Sequence, residues 1–115
     1  MPKKPLETLS EPMFYVLMAL RRRSLCGADI VTWVSRQTDR RVALGPGTLY
    51  TILPKLTEEG ILKDAGTDGR KRAYQMTEKG RALYDAECWR LRQVVLDIER
   101  EEEAEPSPFE LGKEA

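Results

Sequence analysis

The sequence predicts a mainly α-helical domain with one small β-hairpin and a long helix at its end. Three short amphipathic runs lie before residue 60, two apolar-alternating segments flank the turn residues Asp68 and Gly69, and an uninterrupted helical pattern fills residues 78–103. A chain of 115 residues has room for one compact domain with a modest core and one projecting element.

Ser10 is a favoured N-cap, Glu11 suits a first helical turn, and Pro12 falls where its missing N–H costs little. In the run MFYVLMALRRR, Met13, Val16, Leu17 and Leu20 share one face, whereas Phe14 and Met18, four residues apart, point elsewhere. A second run, ADIVTWVSRQT, groups Ile30, Trp33 and Val34 and is stopped by the polar stretch DRRVALGPG. The third helix is LGPGTLYTILPKLTEEG, Leu44 to Gly60, with Pro54 in its interior. At 100° per residue, Leu49, Ile52, Leu53 and Leu56 span an arc of about 100°, the width of a core-facing stripe. Roughly opposite lie Gly47, Thr51, Pro54 and Glu58, flanked by Tyr50 and Thr57 on one side and by Thr48 and Lys55 on the other. Pro54 therefore points to solvent, where water can take the carbonyl of Tyr50 and soften an interior-proline cost of about 3 kcal/mol.

The segment ILKDAGTDGRKRAYQMT reads as a two-stranded ribbon with a basic tip, and Thr77 caps the long helix that follows. Along that helix Tyr84, Cys88, Leu91, Val95 and Ile98 recur at spacings of 4, 3, 4 and 3, a coiled-coil seam of about two heptads. So short a seam on a projecting helix hardly holds alone and a second copy would bury it, which makes these five residues the expected dimer interface; the alternative is that the seam packs on its own domain. The organisation expected is a flexible arm over 1–8, a DNA-binding domain over 9–76, a dimerisation helix over 77–103, and a Pro-interrupted, disordered tail over 104–115.

Net charge is zero, but it is unevenly placed. Up to Thr77 there are 13 Lys and Arg against 8 Asp and Glu, and from Glu78 onward 6 against 11. The front of the chain is suited to a polyanion. Histidine is absent and no phosphate loop or paired-carboxylate pattern stands out, so an enzyme is not expected. Cys26 and Cys88 are too isolated for a zinc knuckle or a redox pair, and neither metal nor cofactor is expected. No stretch approaches a membrane span and the N-terminus has no apolar signal core, so a cytoplasmic location is expected.

Three helices, a hairpin and a long helix, in that order, describe a winged helix-turn-helix plus a long C-terminal dimerisation helix. In that arrangement the third helix enters the major groove and the wing lies along the backbone or in the minor groove. Thr48, Tyr50, Thr51 and Lys55 are then the candidate contacts of the third helix, Arg70, Lys71 and Arg72 those of the wing, and Arg40 and Arg41 additional backbone contacts from the preceding loop. Arg21, Arg22 and Arg23 read as a helix end that complements the dipole.

The segments SEPMFYVLMAL, LGPGTLYTILPKLTEEGIL and GRKRAYQMTEKGRAL, in this order and spacing, resemble the PadR family of bacterial transcriptional regulators from about Leu9 to Leu91. The wing segment alone also resembles the MarR family. The PadR resemblance implies a homodimer built from the N- and C-terminal helices, repression of target promoters through a pseudo-palindromic operator on double-stranded DNA, and, in some members, ligand pockets near the subunit contact. It makes Phe14, Met18 and Trp89 the candidate residues for a small hydrophobic or aromatic effector. Two features depart from the family pattern: Cys26, Gly27 and Ala28 stand where a His-Gly-Tyr-like element is common, and the C-terminal part is short, as in the small branch. The rival reading is a winged-helix protein-interaction module whose basic wing is incidental.

Overall fold

A computed structural model describes residues 8–104 and 106. Its elements run α1 (Glu11–Ala19), β1 (Leu25–Cys26), α2 (Gly27–Gln37), α3 (Pro46–Glu58), β2 (Leu62–Asp68), β3 (Lys71–Met76) and α4 (Glu78–Glu103). This is the winged helix-turn-helix with a long C-terminal helix that the sequence predicts. The flexible arm and the disordered tail expected at the two ends lie almost wholly outside the described residues. Among the described residues, no helix is long and apolar enough to cross a membrane.

The expected ribbon is present, with one strand more. β1 pairs antiparallel with β3 through Leu25 opposite Tyr74 and Cys26 opposite Ala73, giving a sheet of order β1-β3-β2. Two residues carry no readable alternation, so the strand has no sequence signature; it forms because the backbone of β3 offers hydrogen-bonding groups on both sides. Between β2 and β3 the register breaks at Asp64/Thr67, where Gly66 adopts φ +108° and its N–H bonds the Asp64 Oδ1 at 2.8 Å. Gly69, at φ +64°, turns the wing tip.

The core joins Val16 and Leu17 of α1 with Leu20 at its C-cap, Ile30 and Val34 of α2, all four stripe residues of α3, and Ile61 and Leu62 at the start of the sheet. Ser10 caps α1 by accepting from the Met13 N–H at 3.3 Å. α3 ends in a Schellman motif: Gly60 at φ +76° donates to the Thr57 carbonyl (3.1 Å) and Ile61 to that of Leu56 (2.9 Å). Leu56 and Ile61, both fully buried, supply the hydrophobic contact that accompanies this cap.

The same turn anchors α4. The Thr77 hydroxyl donates toward the Gly60 and Ile61 carbonyls (2.6 and 3.0 Å) and accepts from the Gly80 N–H (3.0 Å), while the Thr77 N–H bonds the Ile61 carbonyl at 3.0 Å. Gly80 lets the two backbones approach, since a Cβ there would collide with the Ile61 carbonyl oxygen and press on the Met76 side chain. Gly80→Ala is therefore expected to destabilise the fold by about 2 kcal/mol or more, against the small gain that alanine gives inside an ordinary helix. Urea unfolding followed by circular dichroism checks this, and a midpoint equal to or above wild type would contradict it.

Candidate nucleic-acid interface

α3 presents its apolar stripe inward and a face of small and polar residues outward. Leu49, Ile52, Leu53 and Leu56 are buried, and Gly47, Thr48, Tyr50, Thr51, Pro54 and Lys55 are exposed, Tyr50 by 73%. Gly45 and Pro46 begin the helix, with the proline at a position that lacks an intrahelical N–H partner anyway. Pro54 does not end it, for the helix runs on to Glu58. Thr51 bonds back to the Gly47 carbonyl at 2.9 Å and Thr57 to that of Leu53 at 2.8 Å, so both hydroxyls are held close to the helix surface. No Cβ neighbour lies within 4 Å of the position that one would take at Gly47, which leaves the start of this face open to a close approach.

The loop before α3 is a wound turn. Asp39 and Arg40 both adopt left-handed backbone, φ 51° and 64°. The Arg40 N–H reaches the Ser35 carbonyl at 2.7 Å and that of Arg41 the Thr38 carbonyl at 3.0 Å. Thr38 locks the turn, its hydroxyl donating to the Val34 carbonyl (2.8 Å) and accepting from the Val42 N–H (3.0 Å). Arg41 lies against α1, where its Nη2 donates to the Tyr15 hydroxyl at 2.8 Å. No sequence signal ties residues 26 positions apart, so Tyr15 escapes a reading based on periodicity.

On the wing Arg70, Lys71 and Arg72 are exposed, but they are not equivalent. Arg72 pairs with Asp64 on the neighbouring strand at 3.2 Å. In the register of the sheet Asp64 stands opposite Tyr74, and Arg72, opposite Thr67, reaches it across the register break. Of the Arg21–Arg23 cations, Arg23 bonds the Ala19 carbonyl at the end of α1 at 3.2 Å, and the backbone carbonyl of Arg21 receives the Arg81 guanidinium at 3.0 Å.

The effector candidates separate. Phe14 stacks on Tyr84 with centroids 5.1 Å apart, and Met18 lines an adjoining cleft of about 780 Å³ with Trp33, Tyr84, Cys88 and the arginines 21–23 and 92. Trp89 is outside that cleft, 64% exposed, and Trp33, carrying Arg23 over its ring at 5.7 Å, is part of its lining. Of the seam on α4, Tyr84 is buried within its own chain, Cys88 and Leu91 are half-buried, and Val95 and Ile98 are exposed beside Val94 and Leu96. Burial, and next its hydrogen bond with Cys88, push the Tyr84 phenol up to about 12, so it is neutral at any physiological pH.

Residues 16–86, more than half the chain, match the model of the Transcriptional regulator PadR-like family. The chain belongs to the PadR family. Like its relatives it is a transcriptional regulator with a winged helix. A transcriptional regulator from Clostridium thermocellum is 25% identical, with 74% of this chain and 88% of that one covered at a TM-score of 0.63. RosR of H. salinarum is 26% identical, covering 82% and 84% at 0.62. Bacillus subtilis PadR, solved in complex with operator DNA, is 27% identical and covers 67% of this chain at 0.57; the match spans 46% of that longer regulator. No curated protein matches the chain at a significant level.

The left-handed turn makes its own prediction. A non-glycine residue in that conformation costs roughly 1 kcal/mol or more, so Arg40→Gly is expected to raise the thermal midpoint by a few degrees. Calorimetry reads the shift directly, and a lowered midpoint would show that the arginine side chain contributes more to stability than its backbone takes away.

Proposed function

We propose that this PadR-family member is a homodimeric, sequence-specific DNA-binding repressor relieved by a small hydrophobic or aromatic effector. The observation that carries the DNA reading is the outward face of α3, where small residues surround the exposed Tyr50 and no large side chain stands in front of Gly47. Thr48, Tyr50 and Thr51 would meet base edges or phosphates, Lys55 a phosphate, and Arg40, Arg41, Arg70, Lys71 and Arg72 the flanking backbone or minor groove. The B. subtilis relative bound to its operator supports this reading, and repression itself follows from the family resemblance.

Dimerisation would proceed through α4. Val95 and Ile98 lie on the seam with Cys88 and Leu91, and Trp89, Val94 and Leu96 widen the apolar surface. Two winged helices about a two-fold axis call for operator half-sites roughly 34–36 Å apart or a multiple of that. The effector would enter beside Phe14 and Met18, close to the face that Trp89 borders.

Fluorescence anisotropy of a labelled mixed-sequence duplex at several salt concentrations tests the DNA reading. Wild-type affinity should fall linearly in log salt, and an Arg70/Lys71/Arg72→Ala variant should show a slope shallower by about two, because Arg72 already has Asp64 as a partner. Absence of binding by wild type at low salt would favour the protein-interaction module. For the dimer, Val95→Glu combined with Ile98→Glu is expected to leave the winged helix folded and give a monomer in sedimentation velocity; a persistent dimer would place the contact elsewhere.

A further inference from the structure

We propose that Tyr15 is a positioning residue for DNA binding: its hydroxyl holds the Arg41 guanidinium in place for a backbone phosphate without neutralising it. The inference rests on the DNA-binding reading above and adds a residue of α1 to it.

The chemistry of the pair carries the argument. Arg41 is exposed, and its Nη2 donates to the Tyr15 hydroxyl at 2.8 Å. The arginines that do form ion pairs are held by carboxylates: Arg72 by Asp64, Arg81 by Asp85, Arg90 by Glu87 and Arg100 by Asp97. A carboxylate orients a guanidinium but competes with phosphate for it. A phenol orients it through one of five N–H donors and leaves the full charge and the other donors available. Among the described residues no carboxylate reaches Arg41 at ion-pair distance, and Glu11 acts on it only through longer-range attraction.

Both halves of the pair are braced. Tyr15 is half-buried, its ring set edge-on to Phe14 at 6.0 Å, and Phe14 in turn stacks on the buried Tyr84 of α4. On the other side, the Thr38 clamp and the Arg41 N–H bond to Thr38 fix the backbone from which the guanidinium extends. Four rotatable side-chain bonds of an exposed arginine would otherwise have to be ordered when DNA arrives, at a cost in side-chain entropy. The hydrogen bond removes part of that cost beforehand.

A double-mutant cycle on duplex binding tests this. Tyr15→Phe keeps the ring and its contacts and removes only the hydroxyl. Its thermal midpoint should stay within about 2 °C of wild type while duplex affinity falls roughly threefold to tenfold. Arg41→Ala should lose at least as much and flatten the salt slope by about one. In the Arg41→Ala background, Tyr15→Phe should cost nothing further, a non-additivity that a merely structural tyrosine would not produce. If wild type binds duplex and Tyr15→Phe binds equally well, or if the two losses add in full, the positioning role is overturned and the DNA reading stands. A wild-type protein that binds no duplex at low salt overturns both.

Discussion

The structure depends on one junction, where the end of α3, the first residues of β2 and the start of α4 share hydrogen bonds through Thr77. Its hydroxyl meets the carbonyls of Gly60 and Ile61 and takes the N–H of Gly80, so one side chain caps α4 and closes the turn that ends α3. Lys79 adds a bond to the Glu59 carbonyl at 2.8 Å. The direction in which α4 leaves the domain is therefore fixed relative to α3, and so is the relation of any surface on α4 to the outward face of α3. Two glycines make this geometry available for different reasons. Gly60 supplies a left-handed C′ position, and Gly80 supplies the absence of a side chain where two backbones nearly touch.

Pro54 becomes intelligible in the same frame. A proline within an isolated helix of 13 residues would break it, because nucleation is costly and one lost bond is a large share of the total. Here Leu49, Ile52, Leu53 and Leu56 are anchored in the core on both sides of the proline, and the Schellman turn fixes the far end. Tertiary packing, not propensity, keeps the helix continuous. The outward face that carries the proline also holds the small Gly47 and two threonine hydroxyls bonded back to the helix, beside the exposed Tyr50.

Much of this was legible in sequence because the signals are local and periodic. The stripe of α3, the caps Ser10 and Thr77, and the turn at Gly69 each link residues whose successive members lie no more than four positions apart. The structure adds what depends on sequence-distant partners. β1 exists only because β3 lies beside it; Arg72, opposite Thr67, reaches Asp64 only across the register break between those two residues of β2; and Arg41 meets Tyr15 only through the tertiary contact of α1 with the turn. The seam on α4 shows the same limit. Heptad spacing identifies Tyr84, Cys88, Leu91, Val95 and Ile98 as one face, but periodicity does not tell which part of that face its own domain covers. Phe14 of α1 takes the Tyr84 end, and the exposed remainder begins further along.

Distance resolves the apparent conflict between zero net charge and a polyanionic partner. α4 spans 26 residues, hence about 39 Å, and its acidic run Glu101, Glu102 and Glu103 closes its C-terminal end, whereas the wing joins its N-terminal end. At physiological ionic strength charges interact strongly only over about 8 Å, so those carboxylates do little to the potential at Arg70, Lys71 or Arg41. Nearby groups decide which cations stay available. Asp64 takes part of Arg72, while Tyr15 engages Arg41 and leaves its charge intact. The number of phosphates that such a surface can neutralise is thus set by the local partners of each arginine rather than by the balance of the whole chain.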